Sequence, residues 1–181
     1  MSRALLTIIC AIVALTFVSC HSKKKSLRTD DGIYSVEEKA DRNAGKKGES
    51  NKKRPVREMI VEEARSWVGT PYRYGGESHK GVDCSGLVMS VFRDVAAIKL
   101  PRSSAEQCDY CKKIGRSELR RGDLVFFRTG KSKKVNHVGI YIGNGCMVHS
   151  SSSRGVIVSD LDQDYYRRTY HASGRVRALG D

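Results

Sequence analysis

The feature that most constrains the fold is a change of hydrophobic period near Gly122. Before this point apolar residues recur at helical spacing, whereas after it short apolar runs alternate with turn residues as they do in strands. Three helices are predicted, over residues 58–68, 84–98 and 103–114. Five strands are predicted, over residues 123–127, 135–142, 146–150, 155–159 and 165–177. Helices that precede antiparallel hairpins predict an α+β fold, with the helices packed on one side of a sheet of five to six strands.

The first twenty residues have the composition of a secretory signal peptide. A basic residue, Arg3, precedes an apolar run over residues 4–18, and Ser19-Cys20 follows. The run is shorter than the roughly 20 apolar residues that a membrane span needs. Because a cysteine after a small residue resembles the bacterial lipoprotein signal, we predict that residues 1–19 are removed and that Cys20 is lipidated. Its lipid chains would anchor the protein in a membrane.

Residues 20–57 are predicted to form a flexible, basic tether. The chain carries a net charge of +13, and residues 21–57 contain twelve Lys or Arg but six Asp or Glu, with little apolar periodicity. Such a segment cannot bury enough apolar surface to offset the entropy lost on ordering. Since a secreted chain rarely meets nucleic acid, we expect no nucleic-acid partner and assign the charge to attraction toward anionic lipid or cell-wall polymer. Residues 58–181 are expected to form one domain, and the protein is expected to be a monomer.

Cys84 stands where a polar, glycine-containing loop gives way to the second predicted helix. The unpaired N–H groups of a first helical turn form the positive end of the helix dipole. Such a position lowers a thiol pKa from about 8.5 to roughly 3.5–7.5, so we expect thiolate at neutral pH. Taken alone, Cys84 also fits the commoner role of a small, buried apolar residue.

Two histidines flank a glycine-rich turn in the predicted hairpin over residues 137–149. A three-residue loop over residues 143–145 places His149 opposite Gly139, with His137 one diagonal step away, at about 7–8 Å, on the same face. A two-residue loop would place the two histidines on opposite faces. We choose the longer loop because it also gathers the apolar residues on one face, so the histidine face is predicted to lie opposite the core.

A cysteine at a helix start and two histidines on one sheet face fit nucleophilic acyl transfer. The Cys84 thiolate would attack a carbonyl carbon, while His137 would take the thiol proton and later protonate the leaving amine. His149 would accept a hydrogen bond from the other ring nitrogen of His137, and backbone N–H groups near Cys84 would stabilise the oxyanion. A zinc site built from the same three side chains is the alternative. Since the adjacent Ser85-Gly86 suits an oxyanion better than a metal, we expect neither metal nor cofactor.

Cys108 and Cys111 form a Cys-x-x-Cys pair within the third predicted helix. A redox-active pair would stand at a helix start after a strand. The remaining interpretations are a structural disulfide, two free thiols or half of a zinc site.

Five motifs occur together and in order along the predicted domain. They resemble the NlpC-type papain-like cysteine peptidases of bacterial cell walls, and the resemblance covers residues 58–177. The motifs are Gly69-Thr-Pro-Tyr-Arg-Tyr-Gly-Gly76, Gly81-Val-Asp-Cys-Ser-Gly86, Leu100-Pro-Arg-Ser-Ser104, Arg121-Gly-Asp-Leu-Val-Phe126 and His137-Val-Gly-Ile-Tyr-Ile-Gly143.

This resemblance implies a papain-like fold and an endopeptidase that cuts peptidoglycan stem peptides. The bond is typically the one between D-γ-glutamate and a diamino acid such as meso-diaminopimelate. Cys84, His137 and His149 match the catalytic triad of the family. Tyr72 matches a tyrosine that lines the active site and helps to stabilise the oxyanion.

The same resemblance assigns Asp83 and Ser85, on either side of the nucleophile, to substrate binding. It also implies a location in the cell envelope, which we expect to be the periplasmic face of the outer membrane. Two other functions stay open: an amidase or acyltransferase that uses the same Cys-His site, and a catalytically silent lipoprotein that only binds wall peptides.

Overall fold

The computed structural model describes residues 26–29, 32–35 and 54–179. They divide between two units, one within residues 1–43 and the other within residues 44–181. In the first unit, strands β1 (Ser26–Thr29) and β2 (Gly32–Ser35) pair as an antiparallel hairpin. The tether prediction included no strand, so this hairpin differs from expectation.

The predicted signal peptide and the lipidation site, Cys20, lie outside the described residues. Within the part of the chain that the structure describes, no helix is long and apolar enough to cross a membrane.

The second unit begins with helix α1 (Val56–Ser66) and a small hairpin of strands β3 (Glu77–Ser78) and β4 (Gly81–Val82). Helix α2 (Cys84–Ala96) follows directly. Its first turn is capped by Asp83, whose carboxylate accepts a hydrogen bond of 2.7 Å from the backbone N–H of Gly86. Helix α2 therefore begins at the residue where the sequence predicted it.

Helix α3 (Ser104–Tyr110) begins with the predicted capping box, formed by Ser103 and Glu106. The prediction that this helix also holds Cys111 was wrong, because the backbone is extended at that residue. Strand β5 (Lys112–Ile114) starts there and pairs with a strand near the C-terminus. Cys108 and Cys111 are both buried free thiols.

The five strands that follow β5 along the chain are β6 (Leu124–Phe127), β7 (His137–Gly143), β8 (Cys146–Ser151), β9 (Gly155–Asp160) and β10 (Tyr170–Arg175). Together with β5 they form the main sheet, which is antiparallel and has the order β5-β10-β6-β7-β8-β9. The α+β fold with an antiparallel sheet of five to six strands is confirmed. One strand, predicted over residues 165–177, was wrong in its first half, where helix α4 (Asp164–Thr169) forms.

Apolar residues pack on both faces of this sheet. Helices α1, α2 and α3 contribute to a main cluster with the face that carries Phe126 and Ile140. The other face carries a second cluster, in which Tyr166 of α4 packs with Phe127 and Met147. The histidine face, predicted to lie opposite the core, is therefore covered by a smaller core of its own.

Candidate active site

The hairpin of β7 and β8 places the two histidines in the predicted register, but its turn differs from the predicted three-residue loop. Tyr141 pairs with Met147, as expected for a three-residue loop. The end of the hairpin differs, because Gly143 pairs with Cys146 and leaves a loop of residues 144–145. A register shift between Tyr141 and Gly143 supplies the extra residue. The loop residues have φ values of 52° and 73°, as a type I′ turn requires.

His137 and His149 consequently lie on one face and contact each other. His137 Nε2 is 2.9 Å from His149 Nδ1, and the two rings meet edge to face with centroids 4.9 Å apart. Gly139 leaves the room that this arrangement needs, because a Cβ atom there would lie 3.3 Å from the Cβ of His149.

One cleft collects the residues predicted to surround the reacting group. Cys84, Tyr72 and both histidines line it, so the start of α2, the β7–β8 hairpin and the loop after α1 meet there. Its other lining residues are Thr129, Asn136, Ser150, Ser151, Ser152, Tyr165 and Tyr166.

The thiol of Cys84 does not have the lowered pKa that its position at a helix start predicted. Burial raises the pKa of Cys84 above its ordinary value, and the carboxylate of Asp83 adds to the increase. Backbone N–H groups of Val138 and Ser85 act in the opposite direction. Removal from water favours the neutral thiol. Here it raises the thiol pKa by more than the N–H groups of the helix terminus lower it. The site therefore needs a base to generate thiolate.

Both histidines are available as neutral imidazoles. Burial lowers the pKa of His137 to about 4. Burial, together with the nearby His137 and Arg154, lowers the pKa of His149 well below its usual range. A neutral imidazole has one N–H and one lone pair. Because Nε2 of His137 meets His149, Nδ1 is the nitrogen left to exchange a proton with Cys84.

Two hydroxyl groups that the sequence analysis did not single out complete the surroundings of His149. His149 Nε2 lies 3.0 Å from Ser159 Oγ and 3.0 Å from the Tyr166 hydroxyl. Tyr166 fell within a predicted strand, and Ser159 was placed at the end of another. The pairing of β9 with β8 places Ser159 on the histidine face, a position that strand parity could have indicated. Tyr166 reaches His149 only because α4 docks on the sheet, and no local sequence signal indicated that contact.

Tyr72 is held at the cleft by its neighbours in the chain. It forms a bridge with Val82, and the backbone N–H of Arg73 donates to the carbonyl of Val82 at 3.2 Å. Burial raises the pKa of Tyr72, and the adjacent Cys84 and Asp83 raise it further. The phenol therefore stays protonated and can donate a hydrogen bond to an oxyanion.

Asp83 and Ser85 are buried and are not among the described residues that line the cleft. Burial acts to raise the pKa of Asp83, but hydrogen bonds from Arg102, Gly86 and Gly75 outweigh it, so the pKa lies below its usual value. Arg102 contacts both carboxylate oxygens, at 3.0 and 2.6 Å, and also Ser85 Oγ at 3.0 Å. This arrangement fixes the start of α2 behind the nucleophile.

No group of three or more His, Cys, Asp or Glu side chains within the described residues is arranged to hold a metal ion. The zinc alternative for Cys84, His137 and His149 gains no support from this arrangement.

Comparison with known proteins supports the resemblance found in the motifs. Residues 69–175 match the sequence model of the NlpC/P60 family. The Haemophilus influenzae protein named "Probable endopeptidase NlpC homolog" is 51% identical over 110 residues, which cover 61% of this chain and 57% of that protein. The Escherichia coli K12 protein named "Murein DD-endopeptidase MepS/Murein LD-carboxypeptidase" is 46% identical over 121 residues, which cover 67% of this chain and 63% of that protein.

A solved structure has the same fold. The crystal structure of an NlpC/P60 family protein from Bacillus cereus matches with a TM-score of 0.63 at 31% identity, over 67% of this chain and 40% of that one. The chain spans less than two thirds of the length of either curated relative. Because the family model covers more than half of the chain, this chain belongs to the NlpC/P60 family.

Proposed function

We propose that this chain is a cysteine endopeptidase that hydrolyses peptidoglycan stem peptides. The observation that carries the proposal is the cleft in which Cys84 and Tyr72 meet the hydrogen-bonded pair of His137 and His149. A nucleophile, a base and a group that orients the base form the arrangement used for covalent acyl transfer. The names of the relatives, which specify endopeptidases and murein, support a wall peptide as substrate.

Each of the four side chains has one task in the proposed reaction. His137 takes the proton of the Cys84 thiol as the sulfur attacks the carbonyl carbon, and the Tyr72 hydroxyl donates to the resulting oxyanion. His137 then protonates the leaving amine, which departs and leaves a thioester on Cys84. Water gives a proton to His137 and hydrolyses the thioester, which releases the carboxylate and restores the thiol. His149 holds the ring of His137 in place throughout.

The decisive experiment compares release of wall fragments by the full chain and by three alanine variants. Cys84→Ala and His137→Ala should abolish cleavage. His149→Ala should retain measurable residual activity, because it removes only the group that orients the base. Cys146→Ala is the matched control, because Cys146 is a second cysteine of this domain that does not line the cleft. Equal cleavage by Cys84→Ala would exclude the proposal. Binding of wall peptides without any cleavage, equally strong in Cys84→Ala, would favour a silent binding protein.

We propose the D-γ-glutamyl–diamino acid bond as the bond cut. A second candidate is a bond between two D-configured residues, because the Escherichia coli relative is named a DD-endopeptidase. Mass spectrometry of products from defined stem peptides and cross-linked dimers separates the two by the masses of the fragments. Products that carry an added acceptor would instead indicate an acyltransferase. Products that have lost only an amide nitrogen would indicate an amidase.

Asp83 and Ser85 stay predicted substrate-binding residues, although Arg102 engages both side chains. Substitution with Asn and Ala should raise KM more than it lowers kcat if they contact substrate. A loss of folding stability with unchanged KM would assign them to the helix start alone.

We also propose that Cys20 is lipidated after removal of residues 1–19. Residues 20–57 would then tether the enzyme to a membrane of the cell envelope, on the periplasmic face of the outer membrane. Incorporation of labelled palmitate into the wild type but not into Cys20→Ser tests the anchor, and membrane fractionation tests the location. Gel filtration of Cys20→Ser tests the expected monomer.

A further inference from the structure

His149 is enclosed by groups that contact both of its ring nitrogens. Its Nδ1 is 2.9 Å from His137, and its Nε2 is 3.0 Å from each of two hydroxyls, those of Ser159 and Tyr166. His149 is 1% exposed, so water does not compete for these positions. A buried imidazole held in this way has its tautomer chosen by the groups around it.

The hydroxyls come from two separate elements that converge on one nitrogen. Ser159 lies on β9, two residues after Ile157, which pairs with His149, and its side chain is buried. Tyr166 lies on α4, and its ring packs edge to face against Phe127 and His149. Ser159 Oγ also approaches the Tyr166 hydroxyl at 3.4 Å.

We propose that Ser159 and Tyr166 are positioning residues that accept the Nε2–H of His149 and thereby keep its Nδ1 free to accept from His137. This inference rests on the proposed function, in which His137 uses Nδ1 as the base toward Cys84. The two hydroxyls extend the chain of hydrogen bonds inward from His137. Tyr166 also lines the cleft, but in the proposed role its hydroxyl acts through His149.

The direction of each hydrogen bond follows from the task of His137. To accept a proton at Nδ1, neutral His137 must carry its own proton on Nε2, which then donates to His149 Nδ1. His149 Nδ1 must consequently be the unprotonated nitrogen, so neutral His149 carries its proton on Nε2. A hydroxyl oxygen can accept that proton, and either one of the two can do so if the other is removed.

The opposite tautomer would disable the base. If His149 carried its proton on Nδ1, it would donate to His137 Nε2 and force the His137 proton onto Nδ1, the nitrogen that the proposed reaction uses as the base toward Cys84. A base that holds the wrong tautomer loses most of its contribution to catalysis. The hydroxyl pair therefore matters to the rate of the chemical step and not to substrate affinity.

Kinetics of conservative variants test this role. Tyr166→Phe and Ser159→Ala should each lower kcat by less than about tenfold, because one hydroxyl remains, with KM changed by less than twofold. The double variant should lower kcat by about a hundredfold, more than the product of the single losses.

Tyr170→Phe is the matched control. Tyr170 also packs on Phe127, but its hydroxyl bonds Ser173 at 2.6 Å rather than His149. It should leave kcat and KM unchanged. A double variant with the kcat of the wild type would overturn the proposal.

Nitrogen NMR of the full chain with ¹⁵N-labelled histidine reads the tautomer directly and needs no substrate. In the wild type, His149 Nε2 should appear as a protonated, pyrrole-type nitrogen and Nδ1 as an unprotonated, pyridine-type nitrogen. In the double variant the two nitrogens should move toward a mixture of tautomers. A wild-type His149 protonated on Nδ1 would overturn the inference. Since this readout is independent of peptide cleavage, it distinguishes failure of the inference from failure of the proposed function.

Discussion

At the scale of single residues, the chemistry of the cleft depends on which groups hold protons at rest. The pKa of Cys84 is raised by burial and that of His137 is lowered to about 4 by burial. A neutral thiol therefore faces a neutral imidazole at pH 7, and the proton moves only as the sulfur attacks. This differs from the resting thiolate at Cys84 that the helix terminus alone predicted.

The lowered pKa of His137 predicts that the proposed peptidase is unusually tolerant of acid. Protonation of His137 removes the base, so kcat/KM should fall as the pH decreases toward about 4. An imidazole with the usual pKa of about 6.5 would already be mostly protonated at about pH 5.5, where this enzyme should still be active. Initial rates on a soluble stem peptide, measured from about pH 3.5 to 8, check this. An acid limb centred near the ordinary histidine pKa would contradict it.

Gly139→Ala should damage the site through its neighbours. The added methyl group would come within 2.7 Å of Met147 Sδ and 3.3 Å of the Cβ of His149. The methionine chain can move aside, but His149 is held at both ring nitrogens. We expect a loss of about 1–3 kcal/mol in stability and a fall in kcat that exceeds the change in KM. Urea unfolding and steady-state kinetics measure both, and an unchanged kcat would show that His149 has room to shift.

At the scale of elements, helix α1 is joined to the sheet by a buried carboxylate. Asp123 is fully buried just before β6, where it accepts from Arg57 of α1 at 2.9 Å and from Arg175 of β10 at 2.9 and 3.1 Å. The backbone N–H of Arg120 donates to it as well, at 2.8 Å. One side chain thus connects a helix and two strands that are distant in sequence.

Asp123→Ala should be among the most destabilising single changes in this region. Removing one partner from a buried ion pair leaves uncompensated charge and costs about 3–5 kcal/mol. Asp94→Ala is the control, because Asp94 pairs with Arg93 at 2.7 Å on the surface and exposed pairs contribute about 0–1 kcal/mol. Chemical denaturation measures both losses. Similar losses would mean that Asp123 adds little beyond a surface pair.

Helices and strands whose own residues carry a strong sequence pattern were predictable. Those that form only through contact with a distant element were not. The amphipathic period of α1 and the capping box of α3 are each formed by residues close together in the sequence. Strand β5 exists because Lys113 pairs with Gly174. Helix α4 contains tyrosines, which suit strands at least as well as helices. It is held on the sheet by Tyr166, which packs with Phe127 and Met147.

At the scale of the whole molecule, two neutral histidines, His149 buried and His137 half-buried, should make folding sensitive to acid. The folded-state pKa values of His137 and His149 lie below the usual value of about 6.5 that applies to the unfolded chain. The unfolded state therefore binds more protons as the pH falls below about 6.5, and stability decreases with it toward the folded pKa.

The expected size for His137 alone is about 2 kcal/mol lost between about pH 7.5 and 5. Urea unfolding at these two pH values measures it, and His137→Gln should reduce the difference by a similar amount. If the stability of His137→Gln depends on pH as strongly as that of the wild type, the acid sensitivity comes from other groups.

The α+β class, the helix start at Cys84 and the shared face of the two histidines were predictable from the sequence. These follow from local period, capping and the parity of a hairpin, all of which neighbouring residues encode. The protonation of the cleft and the hydroxyls behind His149 depend instead on tertiary contacts. Burial and the convergence of α4 with β9 depend on residues far apart in the chain, so the raised pKa of Cys84 and the contacts of Ser159 and Tyr166 arise only when the sheet is packed on both faces.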